Sequence, residues 1–159
     1  MTRPRGSKFG TSQSDARLKS LLSPRRVIVS SVQPRVLVIG IDPRAVAHLG
    51  VDADAVITAL AHEQARFDAA GIAADICFVG PDQGRAVDQI VEQLTAQEYR
   101  CVVIGGGIRK PEAMLEFFET VINLVRRHAP GAAIAFNTNP QNSLDAARRW
   151  LSTRDVDGV

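Results

Sequence analysis

The sequence predicts an α/β protein, a three-layer α/β/α sandwich built on a parallel sheet of four to five strands. Three observations support this fold class. Four short apolar runs each precede a segment with helical spacing, the loops between them are short, and the runs are continuously apolar, as in Val36 to Ile41. Strands that alternate with helices form parallel sheets with helices on both faces.

Length and composition set the protein class. At 159 residues the chain can bury one core of its own. Its apolar runs are far shorter than the ~20 residues of a membrane-spanning helix, so no membrane association is expected. Cys77 and Cys101 fall in predicted interior strands too far apart for a disulfide, which favours a cytoplasmic location. No Cys or His pair has metal-ligand spacing, and no particular cofactor is indicated.

The predicted domain organisation has three parts. Residues 1–24 are rich in Ser, Gly and basic residues and are interpreted as a flexible basic arm, for which weak, salt-dependent contact is the one nucleic-acid role expected. Residues 25–152 form a single α/β domain, and 153–159 are a frayed C-terminus. Within the domain, Val27 to Val32 is either an edge strand or an ordered lead-in, because Pro34 separates it from the next run.

The first two β-α units are recognised from caps and periodicity. Asp52 or Asp54 caps the helix after the strand Val36 to Ile41, and Gly71 ends it. The second strand runs from Ala74 to Val79. Its helix is marked by apolar residues at helical spacing: Val87, Ile90, Val91 and Leu94.

The third strand, Cys101 to Ile104, ends at three glycines, and Pro111 opens the next helix. One stripe of that helix is expected to face the core: Met114, Leu115, Phe118, Val121, Ile122 and Val125. Phe117 and Leu124 fall outside this stripe. A homodimer through the 111–128 helix would cover such a second apolar surface.

The fourth strand covers Ala132 to Phe136. Asn139 is the expected cap and Pro140 the first residue of the last helix. The residues that this helix should bury are Leu144, Ala147 and Leu151. A strand order of 2-1-3-4, as in flavodoxin-like folds, is predicted, because right-handed crossovers restrict the arrangement.

A Rossmann-like order is the alternative, although Gly40-Ile41-Asp42-Pro43 stands where that fold carries Gly-x-Gly-x-x-Gly. Ligands of such sheets bind beyond the carboxyl ends of the strands, where the order switches side. Three loops should meet there: Asp42 to Gly50, Gly105 to Lys110 and Asn137 to Pro140.

The glycine loop is the first candidate site. Gly105, Gly106 and Gly107 allow close approach to backbone N–H groups, and Arg109 and Lys110 add positive charge, so the loop suits a phosphate or carboxylate. The alternative is that the glycines only permit a tight turn and close packing of helix on strand.

Polar residues of the other two loops complete the candidate site. Asp42 is a candidate acid or base, or a partner of Arg109, and the alternative is an Asx turn before a proline. His48 is a second candidate acid or base. Asn137, Thr138 and Asn139 offer amide and hydroxyl groups to a ligand, and they could equally cap the last helix.

These positions resemble the receiver domain of bacterial response regulators over residues 35–151. An acidic residue, Asp42, follows the first strand, the third strand is Cys-Val-Val-Ile, and Thr138 follows the fourth. The resemblance implies a regulatory module of flavodoxin-like fold. Gly105 replaces the phosphoacceptor aspartate of the family, which implies a relative that is not phosphorylatable. In general character the chain also resembles small bacterial proteins of unknown function.

The functional expectation is a small binding or regulatory module that takes an anionic small molecule at the carboxyl edge of the sheet, or a protein partner. One alternative is an enzyme acting on a phosphorylated or carboxylated metabolite, with Asp42 or His48 as acid or base. A homodimeric interaction protein without a ligand is the other alternative.

Overall fold

The computed structural model describes residues 33–154. They form a parallel sheet of four strands in the order β2-β1-β3-β4, with helices packed on it. The strands are β1 (Arg35–Ile41), β2 (Ala73–Val79), β3 (Cys101–Ile104) and β4 (Ala133–Phe136). The predicted α/β sandwich and strand order are confirmed, the Rossmann-like order is not observed, and the arrangement is consistent with a flavodoxin-like fold.

Within residues 33–154, five α-helices connect or follow the strands. They are α1 (Ala53–Ala69), α2 (Gln83–Ala96), the four-residue α3 (Gly106–Arg109), α4 (Leu115–His128) and α5 (Ser143–Arg154). Of the two predicted caps of α1, Asp52 is the one used, since its Oδ1 accepts a hydrogen bond from Ala55 N at 3.0 Å. Asp82 caps α2 in the same way. Short carboxylate side chains accept the otherwise unpaired N–H groups of a first helical turn.

Side-chain alternation along the strands divides the core into two faces. On the α2–α4 face, Leu37, Ile39 and Ile104 pack against α2 and α4. On the α1–α5 face, Val36 and Val38 pack against α1 and α5. The sheet is therefore the middle layer of three.

The buried stripe of α4 differs from the sequence prediction. Phe117 is 3% exposed and lies in the core with Val121 and Val125, whereas Leu115 is 54% exposed. Phe118 and Ile122 are partly buried. The apolar residues of this helix span more than half a turn, so periodicity alone leaves its rotation undetermined, and packing against α2 and the sheet selects Phe117.

A buried carboxylate joins α1 to α5. Glu63 is buried, and its Oε2 accepts a hydrogen bond from Leu144 N at 2.9 Å. Its other oxygen pairs with Arg66, which also donates to Asp145. The first turn of α5 is thereby held against α1, and the two helices form one wall on this side of the sheet.

Several predicted features lie at or beyond the limits of the described range. The basic arm at 1–24, the undecided run Val27 to Val32 and residues 155–159 are outside it. Helix α5 continues to Arg154, so the C-terminus predicted to fray from 153 begins inside this helix. Among the described residues, none of the helices combines the length and the apolar character needed to span a bilayer.

Candidate functional site

A pocket of about 440 Å³ opens at the carboxyl edge of the sheet on the α1–α5 face. This volume lies within the range of about 300–1,000 Å³ that is typical of small-molecule sites. The pocket spans β1 and β3, the strands between which the chain order switches side. Its lining includes residues of all three loops that were predicted to meet there: Pro43 and Val46, Gly105 to Gly107, and Asn137 to Pro140.

The pocket is open because the last position of β1 on this face is a glycine, which has no side chain to fill the space. Val36 and Val38 point toward α1 and α5, and the next position on that side is Gly40. A Cβ placed on Gly40 would have no atom within 4 Å. The glycine therefore forms a floor above which the space is open.

The walls of the pocket are apolar. Val56 and Leu60 of α1 stand on one side, and Ile76 and Phe78 of β2 on another. Phe78, the neighbour of Gly40 in the sheet, is 38% exposed. Val51 at the rim is 37% exposed. Exposed apolar side chains that converge on one concavity favour the binding of an apolar group.

Asn137 ties the loops beneath the pocket together. It is 5% exposed, its Oδ1 accepts a hydrogen bond from Gly106 N at 3.0 Å, and its Nδ2 donates to Ser143 Oγ at 2.9 Å. The side-chain amide of Asn137, which was predicted to bind a ligand, is therefore hydrogen-bonded to groups of the protein itself. Its role in the structure is to fix the loop after β3 against the start of α5.

The two cations of the glycine loop point to opposite faces of the sheet. Arg109 donates to Asn137 O at 3.0 Å, and its guanidinium carbon lies 5.7 Å from the centre of the Phe136 ring, on the α2–α4 face. Lys110 lies on the pocket side, where its Nζ donates to Thr138 O at 2.6 Å. A carbonyl carries no net charge, so this contact does not offset the charge of the Lys110 side chain at the rim.

The glycine loop itself serves close packing. A Cβ on Gly105 would lie 3.2 Å from Ile39 O, and one on Gly106 would lie 3.1 Å from the Lys110 side chain. Gly105 N donates to Ile39 O at 2.8 Å, which extends the β1–β3 pairing by one residue. Close packing therefore accounts for Gly105, whereas a Cβ on Gly106 would first meet the flexible end of Lys110, and all three glycines line the pocket.

Asp42 and His48 are not among the residues that line the pocket. The Oδ1 of Asp42 accepts a hydrogen bond from Arg44 N at 2.9 Å, which is the Asx turn considered as the alternative. His48 is exposed in a short 3₁₀ turn, Ala47–Leu49. The pocket thus gathers the glycine loop and the Asn137 loop but not these two side chains.

Capping accounts for the polar groups of Thr138 and Asn139. Asn139 Oδ1 accepts a hydrogen bond from Gln141 N at 3.0 Å, and Pro140 opens the 3₁₀ turn Pro140–Asn142. The helix α5 begins after this turn, at Ser143, three residues later than predicted. The hydroxyl of Thr138 accepts a hydrogen bond from the side chain of Asn142. Both residues border the pocket, and the side-chain oxygen of each already accepts a hydrogen bond from the protein.

Sequence reasoning missed the apolar part of the site. It searched for charged and polar residues, whereas most of the lining is aliphatic or aromatic, including Val38, Val56 and Ile76. One pattern could have revealed it. A glycine at position 40, after two valines on the same side of β1, leaves the last position of that face without a side chain.

Within the described residues, no three His, Cys, Asp or Glu side chains are grouped as metal ligands would be. Lys110 is the one ionisable side chain among the described residues that line the pocket.

Comparison of the sequence with protein-family models found no match, and a search of curated proteins found none either.

Proposed function

We propose that this chain is a small binding module for a molecule with an apolar body and one anionic group, carboxylate or phosphate. The observation that carries the proposal is the apolar pocket of about 440 Å³ with a single cation, Lys110, at its rim. Burial of the apolar body supplies most of the binding free energy, at about 25 cal/mol per Å². Lys110 orients the charged end toward solvent.

Of the two cations predicted to bind an anion, Lys110 alone borders the pocket. Arg109 is engaged with Asn137 and Phe136 on the other face, so it supports the loop rather than the ligand. Both ends of the Asn137 amide are hydrogen-bonded, to Gly106 N and to Ser143 Oγ, and the Oδ1 of Asn139 accepts from Gln141 N. Lys110 contacts a neutral carbonyl and keeps two further N–H donors for an anion.

Kinship with receiver domains is a further part of this proposal. It is supported by the strand order 2-1-3-4 and by the positions of Asp42 and Thr138 after β1 and β4. Gly105 stands where the phosphoacceptor would be. Such a module would respond to a bound molecule instead of a phosphoryl group.

Ligand class is tested by thermal shift of the full chain with four probes: octanoate, octanol, inorganic phosphate and the fluorescent anion 1-anilinonaphthalene-8-sulfonate. We expect octanoate and the naphthalene sulfonate to raise the melting temperature by about 2–5 °C at saturating concentration, because a ligand that binds only the folded state stabilises it. Octanol should bind more weakly, and phosphate should have no effect. A shift with phosphate but none with octanoate would contradict an apolar body.

Two variants locate the binding. Gly40→Val should place a branched side chain on the pocket floor and abolish the octanoate shift, whereas Gly131→Val, in open space away from the pocket, should leave it unchanged. Lys110→Met keeps the apolar stem and removes the charge, so the preference for octanoate over octanol should fall about tenfold. Arg85→Met, an exposed cation on α2, is the matched control. Equal ligand shifts in all four variants would reject this pocket.

A further inference from the structure

A row of apolar side chains lies beside the outer edge of β4. Among the described residues, β4 pairs with β3 alone. Ala133 N donates to Arg100 O, toward β3, so the backbone groups of Ile134 and Phe136 point outward. Arg149 covers one of them by donating to Phe136 O at 2.9 Å. The remaining edge groups can pair with another strand.

Side chains above this edge are apolar and partly exposed. Leu115, Phe118 and Ile122 lie at helical spacing on one side of α4. Phe118 meets Phe136 edge to face, with ring centres 5.7 Å apart, and Phe136 is 37% exposed. We call these four residues the edge strip. It runs from the sheet edge up the outer side of α4.

We propose that the edge strip binds a second copy of this chain. The two β4 strands would pair antiparallel about a two-fold axis perpendicular to the sheet, joining two four-stranded sheets into one. Symmetric self-association brings the same surface of each chain together, and pairing covers the β4 edge of both chains. This proposal is independent of the pocket, which lies on the opposite face and opens around β1.

The spacing of the layers fits this arrangement. On the α2–α4 face two helices cover four strands, and α4 packs over β3 and β4 through Val121, Val125 and Phe118. Two helices related by the axis would then be separated by about two strand spacings, roughly 9.6 Å. Helices pack against each other at about 8–10 Å. Continuous strands therefore place the two α4 helices in contact.

The charges of α4 fit the same axis. Glu119 and Arg126 are exposed and lie on the same side of the helix as Leu115 and Ile122. When two α4 helices run antiparallel about a point between positions 122 and 123, Glu119 stands opposite Arg126 of the partner subunit, and the symmetric pair forms as well. In such a dimer, Glu119 and Arg126 of each chain would each face a side chain of opposite charge on the partner.

Sedimentation velocity of the full chain tests self-association. We expect mostly monomer at about 1 µM and mostly dimer at roughly 100 µM, as for an interface with a dissociation constant of about 10 µM. A monomer throughout this range would overturn the proposal.

A charge swap tests the interface. Glu119→Arg and Arg126→Glu should each weaken dimerisation about tenfold, because each places two pairs of like charges at the axis. The double variant should return to within about threefold of the original chain. Glu116→Arg with Arg127→Glu makes the same changes at exposed positions about 60° and 100° around the helix from Glu119 and Arg126, away from the edge strip, and should have no effect. Unchanged dimerisation in the single variants would overturn the proposal. So would a folded double variant, with an unchanged melting temperature, that stays as weak as the singles.

Discussion

The two faces of β1 end differently at the carboxyl edge of the sheet. On the α2–α4 face, Leu37 and Ile39 are fully buried, and Ile41, the last residue of the strand, is partly buried against the same core and reaches the pocket rim. On the α1–α5 face, Val36 and Val38 are followed by Gly40 and open space. One strand therefore serves a closed core on one side and a cavity on the other.

The difference lies in what each face receives from the loops. Above the packed face, the short helix α3 places Ile108 in the core, and Gly107 approaches the Ile41 side chain. Above the pocket face, the loop after β4 is tied down by Asn137 and stops short of Gly40. A binding site can thus form where a fold supplies no side chain to fill the final layer of its core.

Removing one isoleucine from each face of the sheet should give the largest difference in stability between the packed face and the pocket face. Ile104→Ala, on the packed face, should lower the free energy of unfolding by about 2–5 kcal/mol, because it leaves a cavity in a filled core. Ile76→Ala borders an existing cavity, so we expect less than half that loss. Urea unfolding measures both. Equal losses would show that the pocket face is packed as tightly as the other.

Asn137→Ala tests the tie beneath the pocket. It removes the acceptor of Gly106 N and the donor to Ser143 Oγ, so we expect a loss of about 1–3 kcal/mol for the buried groups left unpaired. Asn123→Ala, exposed on α4, is the control and should change stability by no more than about 0.5 kcal/mol. Chemical denaturation compares the two, and similar values would mean that the tie contributes little.

Alkaline titration reports on the packed face. Burial raises the pKa of Cys77 from 9.0 to about 11. Between these values the unfolded chain loses a proton that the folded chain keeps. Stability from this group is therefore complete below pH 9 and is lost as the pH rises toward 11, at roughly 1 kcal/mol per pH unit.

Cys77→Ala should flatten the fall in stability over this window when melting is followed from pH 8 to 11. Tyr99 continues the fall at higher pH, since burial, with a hydrogen bond to Asp75, raises its pKa as well. An identical slope with and without the Cys77 thiol would argue against its burial.

A pair of glycines gives the smallest expected effect. Gly40→Ala places a methyl group in open space and reduces the freedom of the unfolded chain, so stability should rise by about 0.4–1 kcal/mol. Gly105→Ala places the same group 3.2 Å from the Ile39 carbonyl oxygen and should lower stability. Denaturation midpoints measure both stability changes, and changes of opposite sign would support the difference between the open pocket floor and the packed glycine loop. A loss in Gly40→Ala would indicate that the floor of the pocket is closed.

Much of the fold could be predicted because its determinants are local in the chain. The four predicted strands that precede helices, the cap Asp52 and the capping role of Asn139 are set by neighbouring residues, and the structure contains them. The handedness of crossovers restricted the strand order to a few arrangements, of which 2-1-3-4 was predicted and is observed. The rotation of α4 was predicted incorrectly, because Phe117 and Leu115 are equally apolar and only the neighbouring helix distinguishes them.

The amino-acid sequence alone determined the alternation of strands and helices, the buried runs and the loops that reach the carboxyl edge, since each depends on contacts within a few residues. Tertiary structure decided that Lys110 borders the pocket while Arg109 turns to Phe136, and that Glu63 is buried between two helices. It also left the face above Gly40 open. These outcomes depend on distances between segments far apart in the chain, which packing sets and local pattern does not encode.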